Sequence, residues 1–195
     1  MPSPLTIEFY GPFSWTSTDD NTSVFKSSIA AKLGVYLWTV STSEGELIYY
    51  VGQTGRSFSV RMREHFEQQL SGMYMIYEPE LFAQGKKQVA WQGMLARGQE
   101  SRIPEYLERL PELLSAVLGF AKQMRFFLAP LDCEERLRKR IEGAIYDYLN
   151  NQPGVIGDFQ DKGLRYIRRR SDEEPVEVVF KCPVVLRGLP ASLLV

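Results

Sequence analysis

The first clear pattern along the chain is a pair of strand-like segments joined by a polar loop. Residues 33–40 and 46–51 are rich in valine, isoleucine, tyrosine and tryptophan, a composition typical of β-strands. The segment 41–45 between them is polar and ends in glycine, so it predicts a hairpin loop. Such a hairpin brings Tyr36 and Tyr50, at its open end, close together across the ladder.

The hydrophobic spacing then changes to that of a helix. Phe58, Met62, Phe66 and Leu70 recur every four residues, as on one buried face of a helix over about 58–70. Ser57 precedes this run and is a suitable N-cap. Arg61 and His65 are four residues apart, so both side chains lie on one face beside the apolar row.

A third strand and a second helix are predicted further along the chain. Residues 124–131 read as the strand, and Asp132 is the expected N-cap of the helix, with Glu135 at the capping-box position. The predicted buried face of that helix consists of Leu137, Ile141, Ile145 and Tyr148. Glu142 lies at the edge of this face, which directs it toward the sheet. Residues 150–154 end the helix.

The remaining segments are predicted to surround this core. Residues 4–10 favour an edge strand, and 71–123 read as an insertion packed on the core, with a helix over 104–120. In the tail, 155–195, the alternating segment 176–186 favours one or two strands that pair with the N-terminal strand.

We therefore expect an α+β fold in which a small three-stranded antiparallel sheet is flanked by helices, with a helical insertion and extra terminal strands. The 195 residues fit a single domain. Its catalytic core is expected over about 31–70 and 124–154.

Charge gives no general attraction to nucleic acid, because the net charge is -1 and the isoelectric point is about 6.0. Any contact with DNA requires a local basic surface. The candidates are Lys86 and Lys87, the group Arg136, Arg138, Lys139 and Arg140, and the stretch Lys162, Arg165 and Arg168–Arg170.

Other features favour a cytoplasmic protein. Residues 1–11 lack the basic region and the apolar region of a secretory signal, and no apolar run approaches the roughly 20 residues that span a membrane. Cys133 and Cys182 have no partners at zinc-site spacing, so we expect ordinary, partly buried thiols.

Several of these residues suit phosphodiester hydrolysis, which needs an activated water, charge stabilisation and usually a divalent metal. Arg61 can clamp a phosphate with its planar guanidinium, and His65, the only histidine, can move a proton near neutral pH. Glu142 can hold Mg²⁺ while water and phosphate complete the coordination. Tyr36 or Tyr50 can act as a base only beside positive charge, since a tyrosine pKa is about 10.

Glycines and a threonine follow the second strand, at a position suited to bind a phosphate. Gly52 and Gly55 allow the backbone to turn sharply and approach the substrate. Thr54 can either donate a hydrogen bond to the substrate or cap the turn.

Each residue also has an ordinary structural interpretation. Strand tyrosines usually pack, a helix arginine usually pairs on the surface, and a lone histidine is often hydrogen-bonded at the edge of a core. A helix glutamate is usually solvated. The residues in this order are more specific evidence for phosphodiester hydrolysis than any one of them alone.

That set resembles the GIY-YIG nuclease family. Gly34-Val35-Tyr36, then Tyr50-Val51-Gly52-Gln53-Thr54, then Arg61 and His65 follow the order of the family motifs. The resemblance implies that Tyr36 is the general base or orients the attacking water and that Tyr50 assists it. It also implies Glu142 as the metal ligand, with Mg²⁺ or substituting Mn²⁺, and a downstream asparagine at the phosphate. Asn151 is preferred over Asn150 for that role.

We thus expect a metal-dependent DNA endonuclease, of restriction or repair type. The alternative is a DNA- or protein-binding module that keeps the same scaffold without catalysis. A third hypothesis is an enzyme acting on a phosphodiester or phosphate outside nucleic acids.

Overall fold

The computed structural model describes residues 3–95, 100–163 and 165–195 of the protein. Its strands are β1 (Leu5–Glu8), β2 (Tyr10–Phe13), β3 (Gly34–Thr42), β4 (Gly45–Thr54), β5 (Ile76–Tyr77), β6 (Val89–Trp91), β7 (Met124–Pro130), β8 (Glu177–Lys181), β9 (Leu186–Arg187) and β10 (Ser192–Leu194). Its α-helices are α1 (Phe58–Leu70), α2 (Pro79–Ala83), α3 (Ile103–Gln123), α4 (Glu135–Asn150) and α5 (Val155–Phe159). The α+β class is therefore confirmed.

The largest sheet has five strands in the order β2-β7-β3-β4-β9. Its centre is formed by the three predicted strands, with β3 antiparallel to both β4 and β7. Two short edge strands extend it, and β9 runs parallel to β4. The prediction of a small, purely antiparallel sheet was therefore only partly right, because chain from outside the motif region completes both edges.

A second sheet joins the two terminal regions in the order β1-β8-β10. β1 pairs with β8 in parallel, Leu5 opposite Val178, so the predicted pairing of tail and N-terminal strand is confirmed. The predicted single strand over 4–10 divides at Phe9, whose backbone N–H donates to Lys181 O over 2.8 Å. The following residues cross to the five-stranded sheet as β2.

Alternation along β3 separates two cores. Tyr36, Trp38 and Val40 face one core, which contains α1 and the insertion. Val35 and Leu37 face the other core, which contains α4 and the second sheet. The insertion packs on the first core as predicted, since Phe82, Trp91 and Phe120 are among its buried side chains.

Helix α4 begins differently from the prediction. Its N-cap is Glu134, which forms no side-chain capping bond within the described residues, so the proposed capping box of Asp132 and Glu135 was wrong. The buried side of α4 also includes Arg138 and Arg140. Leu137 and Tyr148, predicted to be buried, are only partly covered.

Two further sequence predictions concern cysteines and membranes. Cys133 and Cys182 are free and partly buried, as expected. Among the described residues, none of the helices combines the length and apolarity needed to cross a bilayer.

Gly143 allows the tail to pack against α4. A Cβ atom at this position would overlap the carbonyl oxygen of Ile167. The close approach of this backbone holds Tyr166 beside Tyr146, with ring centroids 4.1 Å apart. The tail is thereby brought to the face of α4 next to the one that carries Glu142.

We predict that Gly143→Ala destabilises the protein by about 1–3 kcal/mol, because the new methyl group displaces the Ile167 backbone. This cost opposes the roughly 1 kcal/mol by which alanine normally favours a helix. Urea unfolding measures the difference. Gly163→Ala is the control, since its Cβ meets only the Asp161 side chain, at 3.2 Å. A Gly143→Ala protein as stable as the parent would contradict this packing.

Candidate active site

A β-bulge in the hairpin places two consecutive tyrosines on one face. Trp38 pairs with Tyr50 and Thr39 pairs with Ile48, so Tyr49 is the extra residue. Tyr49 and Tyr50 both contact the first core, whereas strict alternation would separate them. The Tyr50 ring lies 6.2 Å from that of Tyr36, between centroids. The predicted proximity of these two tyrosines is confirmed.

Gly52 makes room for Tyr36. The two residues are partners across the ladder, and a Cβ atom on Gly52 would overlap the Tyr36 ring and hydroxyl. Tyr36 is fully buried as a result. The structure thus explains Gly52 by side-chain packing, while the predicted approach of its backbone to a phosphate stays a prediction.

Thr54 caps the turn that leads into α1. Its hydroxyl accepts from Arg56 N at 3.0 Å and donates to Arg56 O at 3.2 Å. The side chain is 4% exposed. Of the two roles considered for Thr54, this geometry favours turn capping over substrate binding.

Helix α1 has the predicted ends and carries two site residues. Ser57 is its N-cap and accepts a hydrogen bond from Val60 N. Arg61 Nε donates to Tyr36 Oη at 3.3 Å, and His65 Nε2 lies 2.7 Å from the same hydroxyl. The helix therefore binds Tyr36 from two successive turns.

The hydrogen bonds continue into the insertion, because His65 Nδ1 lies 2.9 Å from Tyr74 Oη. We call the four residues Arg61, Tyr36, His65 and Tyr74 the tyrosine–histidine chain. A neutral imidazole has one donor and one acceptor nitrogen. If Nδ1–H donates to Tyr74, Nε2 accepts the Tyr36 proton; the reverse tautomer leaves that proton available to a substrate.

Burial sets the protonation states of the tyrosine–histidine chain. Burial, with a smaller effect of the Arg61 charge, lowers the pKa of His65 to about 2. Burial raises the pKa of Tyr36 well above its ordinary value, although Arg61 opposes this shift. Both groups are neutral at pH 7. His65 is thus a hydrogen-bonding partner at the core edge rather than a group that titrates near neutrality.

Glu142 joins the same site from α4. Burial raises its pKa to about 7, while a hydrogen bond from the Gln53 backbone and the charge of Arg61 lower it. Glu142 in turn raises the pKa values of Tyr36 and Tyr50 through its charge. The structure therefore brings Tyr36, Tyr50, Arg61, His65 and Glu142 together.

The predicted asparagine is not part of this cluster. Asn151 is nine positions after Glu142, which is about half a turn around a helix, and it lies with Asp147, Arg168 and Arg169 in a separate surface hollow. Asn150 is partly buried, with its Oδ1 atom unpaired among the described residues. A phosphate contact by Asn151 has no geometric support here.

Two tyrosines at the site were missed by the sequence reasoning. Tyr74 hydrogen-bonds His65. The pKa of Tyr166 is raised mainly by burial and, to a smaller extent, by Tyr50 and by the negative charge of Glu142. Tyr74 lies in a segment of the insertion without clear periodicity, and Tyr166 lies in a basic stretch of the tail. Neither position carried a signal that pointed to the site.

Several arginines of the predicted basic surfaces are engaged within the protein, whereas Lys162, Arg165, Arg169 and Arg170 are exposed. Arg138 and Arg140 are buried and donate to backbone carbonyls, including those of Cys133 and Val195. Arg136 pairs with Glu173 at 2.6 Å, and Arg168 with Asp147 at 2.6 Å. The Arg136–Arg140 group is therefore not the exposed cationic patch that its spacing suggested.

The donor set suits a hard divalent cation. Over residues 3–95, 100–163 and 165–195, no three acidic, histidine or cysteine side chains cluster as metal ligands. A magnesium ion held by one carboxylate, with water and phosphate as other ligands, needs no such cluster. Glu142 has an elevated pKa because its buried charge is poorly compensated, and a bound cation would compensate it.

Comparisons with families of known sequences, with curated proteins and with solved structures return no match. The resemblance to GIY-YIG nucleases therefore stays a prediction from the motif residues.

We predict that Gly52→Ala lowers the melting temperature by about 5 °C, because its methyl group displaces the buried Tyr36 ring. Gly55→Ala is the matched control in the same turn. A Cβ there meets only the end of the Arg138 side chain, at 3.2 Å, so we expect little change. Equal melting temperatures for the two variants would contradict the packing described for Tyr36.

We also predict a pH-dependent contribution from His65. Its pKa is about 2 when folded and ordinarily 6.5, so below pH 6.5 the unfolded chain binds a proton that the folded chain does not. The contribution of neutral His65 to the free energy of unfolding is therefore fully present above pH 6.5 and is lost as the pH falls toward 2.

The test is urea unfolding of the parent and of His65→Gln at pH 7 and pH 4.5. We expect the parent to lose roughly 2 kcal/mol relative to the variant at the lower pH. Glu142, with its pKa raised from 4.5 to about 7, acts in the opposite direction, but both proteins contain it. A difference that does not change with pH would refute a neutral, buried His65.

Proposed function

We propose that this protein is a metal-dependent DNA endonuclease of the GIY-YIG type, acting in restriction or repair. The observation that carries the proposal is the convergence of Tyr36, Tyr50, Arg61 and Glu142 from three separate elements. The strands supply the tyrosines, α1 supplies the arginine, and α4 supplies the carboxylate. A packing role alone does not require a partly buried carboxylate beside two tyrosines and a guanidinium.

Arg61 binds the phosphate in this proposal. Its side chain is 31% exposed, pairs with Glu64 at 3.2 Å and also donates to Tyr36. The guanidinium can therefore contact a substrate from solvent while its Nε–H remains fixed by the hydroxyl. Its charge stabilises the negative charge that develops on the phosphate during attack.

Tyr36 orients the attacking water. Its hydroxyl is held by Arg61 and by His65 Nε2, which limits its rotation. Because the pKa of Tyr36 is raised by burial, its role is to position the water rather than to exist as a phenolate. Tyr50, with a raised pKa as well, is a neutral hydrogen-bond donor.

Glu142 holds the metal. A Mg²⁺ ion, which Mn²⁺ can replace, activates the water and offsets phosphate charge when bound. The carboxylate must be ionised to bind the cation, and its pKa of about 7 makes this step sensitive to pH near neutrality.

A catalytically inactive binding module on the same scaffold is the second candidate. The observation in its favour is that Asn151, the residue expected at the phosphate, lies in a separate surface hollow with Asp147 and Arg168. Binding of DNA by the intact protein without cleavage, in the presence of Mg²⁺ or Mn²⁺, supports that candidate.

We predict metal-dependent cleavage of supercoiled plasmid or of branched DNA, abolished by EDTA. Arg61→Ala and Glu142→Gln should lower the rate at least about 100-fold, since each removes charge stabilisation that acts in the transition state. Gel analysis of nicked and linear products measures the rate.

Arg63→Ala is the matched control on the same helix. Arg63 is exposed and lies 3.7 Å from Glu67, so its loss should change the rate less than about threefold. A similar loss in the control and in Arg61→Ala, or no cleavage of plasmid, branched and single-stranded DNA, would refute the catalytic proposal.

The pH profile gives a separate test. At limiting Mg²⁺, cleavage should increase as the pH rises through about 7, because ionised Glu142 is the form that binds the cation. At saturating Mg²⁺ the midpoint should move to lower pH. A midpoint that does not depend on Mg²⁺ concentration would exclude Glu142 as the metal ligand.

A further inference from the structure

A pocket of about 260 Å³ opens beside the candidate active site. Most of its wall is aromatic and comes from both strands of the hairpin, the insertion and the chain after α4. Six of its aromatic residues are Trp38, Tyr49, Tyr50, Tyr74, Tyr77 and Phe120. We call this space the aromatic pocket. Its rings form flat apolar surfaces of the kind on which planar ligands stack.

Three polar side chains also line the aromatic pocket. Arg61, Gln69 and Asp161 contribute a guanidinium, an amide and a carboxylate. Gln69 is 1% exposed, and its Nε2 donates to Met75 O over 3.4 Å. The aromatic pocket therefore suits a flat ring system whose edge carries both hydrogen-bond donors and acceptors.

Two polar atoms in the wall have no partner. Trp38 Nε1 and Tyr49 Oη are buried without a hydrogen bond among the described residues. Their side chains are only 5% and 7% exposed. Buried donors are nearly always paired in folded proteins, and an unpaired donor is unfavourable. Both atoms have almost no accessible surface of their own, so these two donors do not face the open space of the pocket, which is lined by the rings.

The aromatic pocket and the active site share four residues, Tyr50, Arg61, His65 and Tyr74. A phosphate held by Arg61 therefore lies at the mouth of the pocket. The group attached to that phosphate through one sugar is then within reach of the aromatic wall. In DNA, that group is a nucleobase.

We propose that the aromatic pocket receives a nucleobase turned out of the DNA next to the phosphate that is cut. The proposal rests on the nuclease function proposed above and specifies the substrate. The base stacks on the aromatic wall, and Gln69 and Asp161 lie along its edge. Such a base comes most readily from single-stranded, mismatched or branched DNA, where unstacking is easiest.

The experiment compares ligands that differ only in the base. Calorimetry measures binding of a mixed-sequence single-stranded oligonucleotide and of an abasic oligonucleotide with the same backbone, without divalent metal. Deoxynucleoside monophosphates and deoxyribose 5-phosphate form a second pair. We expect the ligand with bases to bind at least ten times more tightly than its baseless counterpart in the oligonucleotide pair.

Met75→Trp tests whether the preference arises in the aromatic pocket. Met75 lines it and is partly buried, so a larger side chain fills the space. The variant should bind both oligonucleotides equally, at the affinity of the abasic one. Met73→Trp, the same change at a partly buried methionine outside the pocket wall, should keep the preference.

The possible outcomes of these binding experiments lead to different conclusions. Equal binding of the two oligonucleotides by the unaltered protein overturns the proposal and needs no variant. A base preference among free monophosphates alone assigns the pocket to a free nucleotide and also overturns it. A preference that Met75→Trp removes, in a protein that cleaves no DNA, supports base binding and refutes only the nuclease function.

Discussion

The hydrogen bond between Tyr36 Oη and His65 Nε2 connects the central strand to the first helix inside the core. Each partner is almost completely buried, and an unpaired polar group there would be destabilising. The pairing therefore requires the right register of the hairpin, the right rotation of α1 and an approach of Tyr74 from the insertion. Arg61, one helical turn earlier, is oriented by the same hydroxyl.

Glu142 gives the site its electrostatic character. It comes from the opposite core, through α4, to the end of β4 where Gln53 donates to it. The environment disfavours its charge, although Arg61 partly offsets this effect. A carboxylate whose charge is only partly compensated, at the end of a sheet and beside neutral tyrosines, is a perturbed group of the kind that is common at functional sites.

Patterns over short stretches of sequence predicted two parts of the site, helix α1 and the hairpin. The ends of α1 followed from Ser57 and from four-residue spacing, and the hairpin followed from its composition and loop. The bulge at Tyr49 was not predictable, because the extra residue and the next one are both tyrosine and the composition does not distinguish them. It decides which face Tyr50 occupies.

Contacts between residues far apart in the sequence account for most of the differences between the predicted site and the observed one. The arginines of α4 read as a surface patch, yet Arg138 and Arg140 are buried because the tail and the turn before α4 offer backbone carbonyls. Asn151 was placed by family resemblance alone, and the rotation of α4 directs it away from Glu142. Tyr166 reaches the site because Gly143 admits the tail backbone, a contact that the separate segments do not encode locally.

The parallel pairing of β1 with β8 has a kinetic consequence. Leu5 and Val178 are joined across nearly the whole described chain, and closing so large a loop is entropically costly. The hairpin and α1 involve only neighbouring residues and can form early during synthesis, whereas this sheet must wait until the tail has left the ribosome. Folding rates fall as such distant contacts become more important. Late closure of the second sheet then completes the core behind α4, so Glu142 is the last part of the site to become fixed.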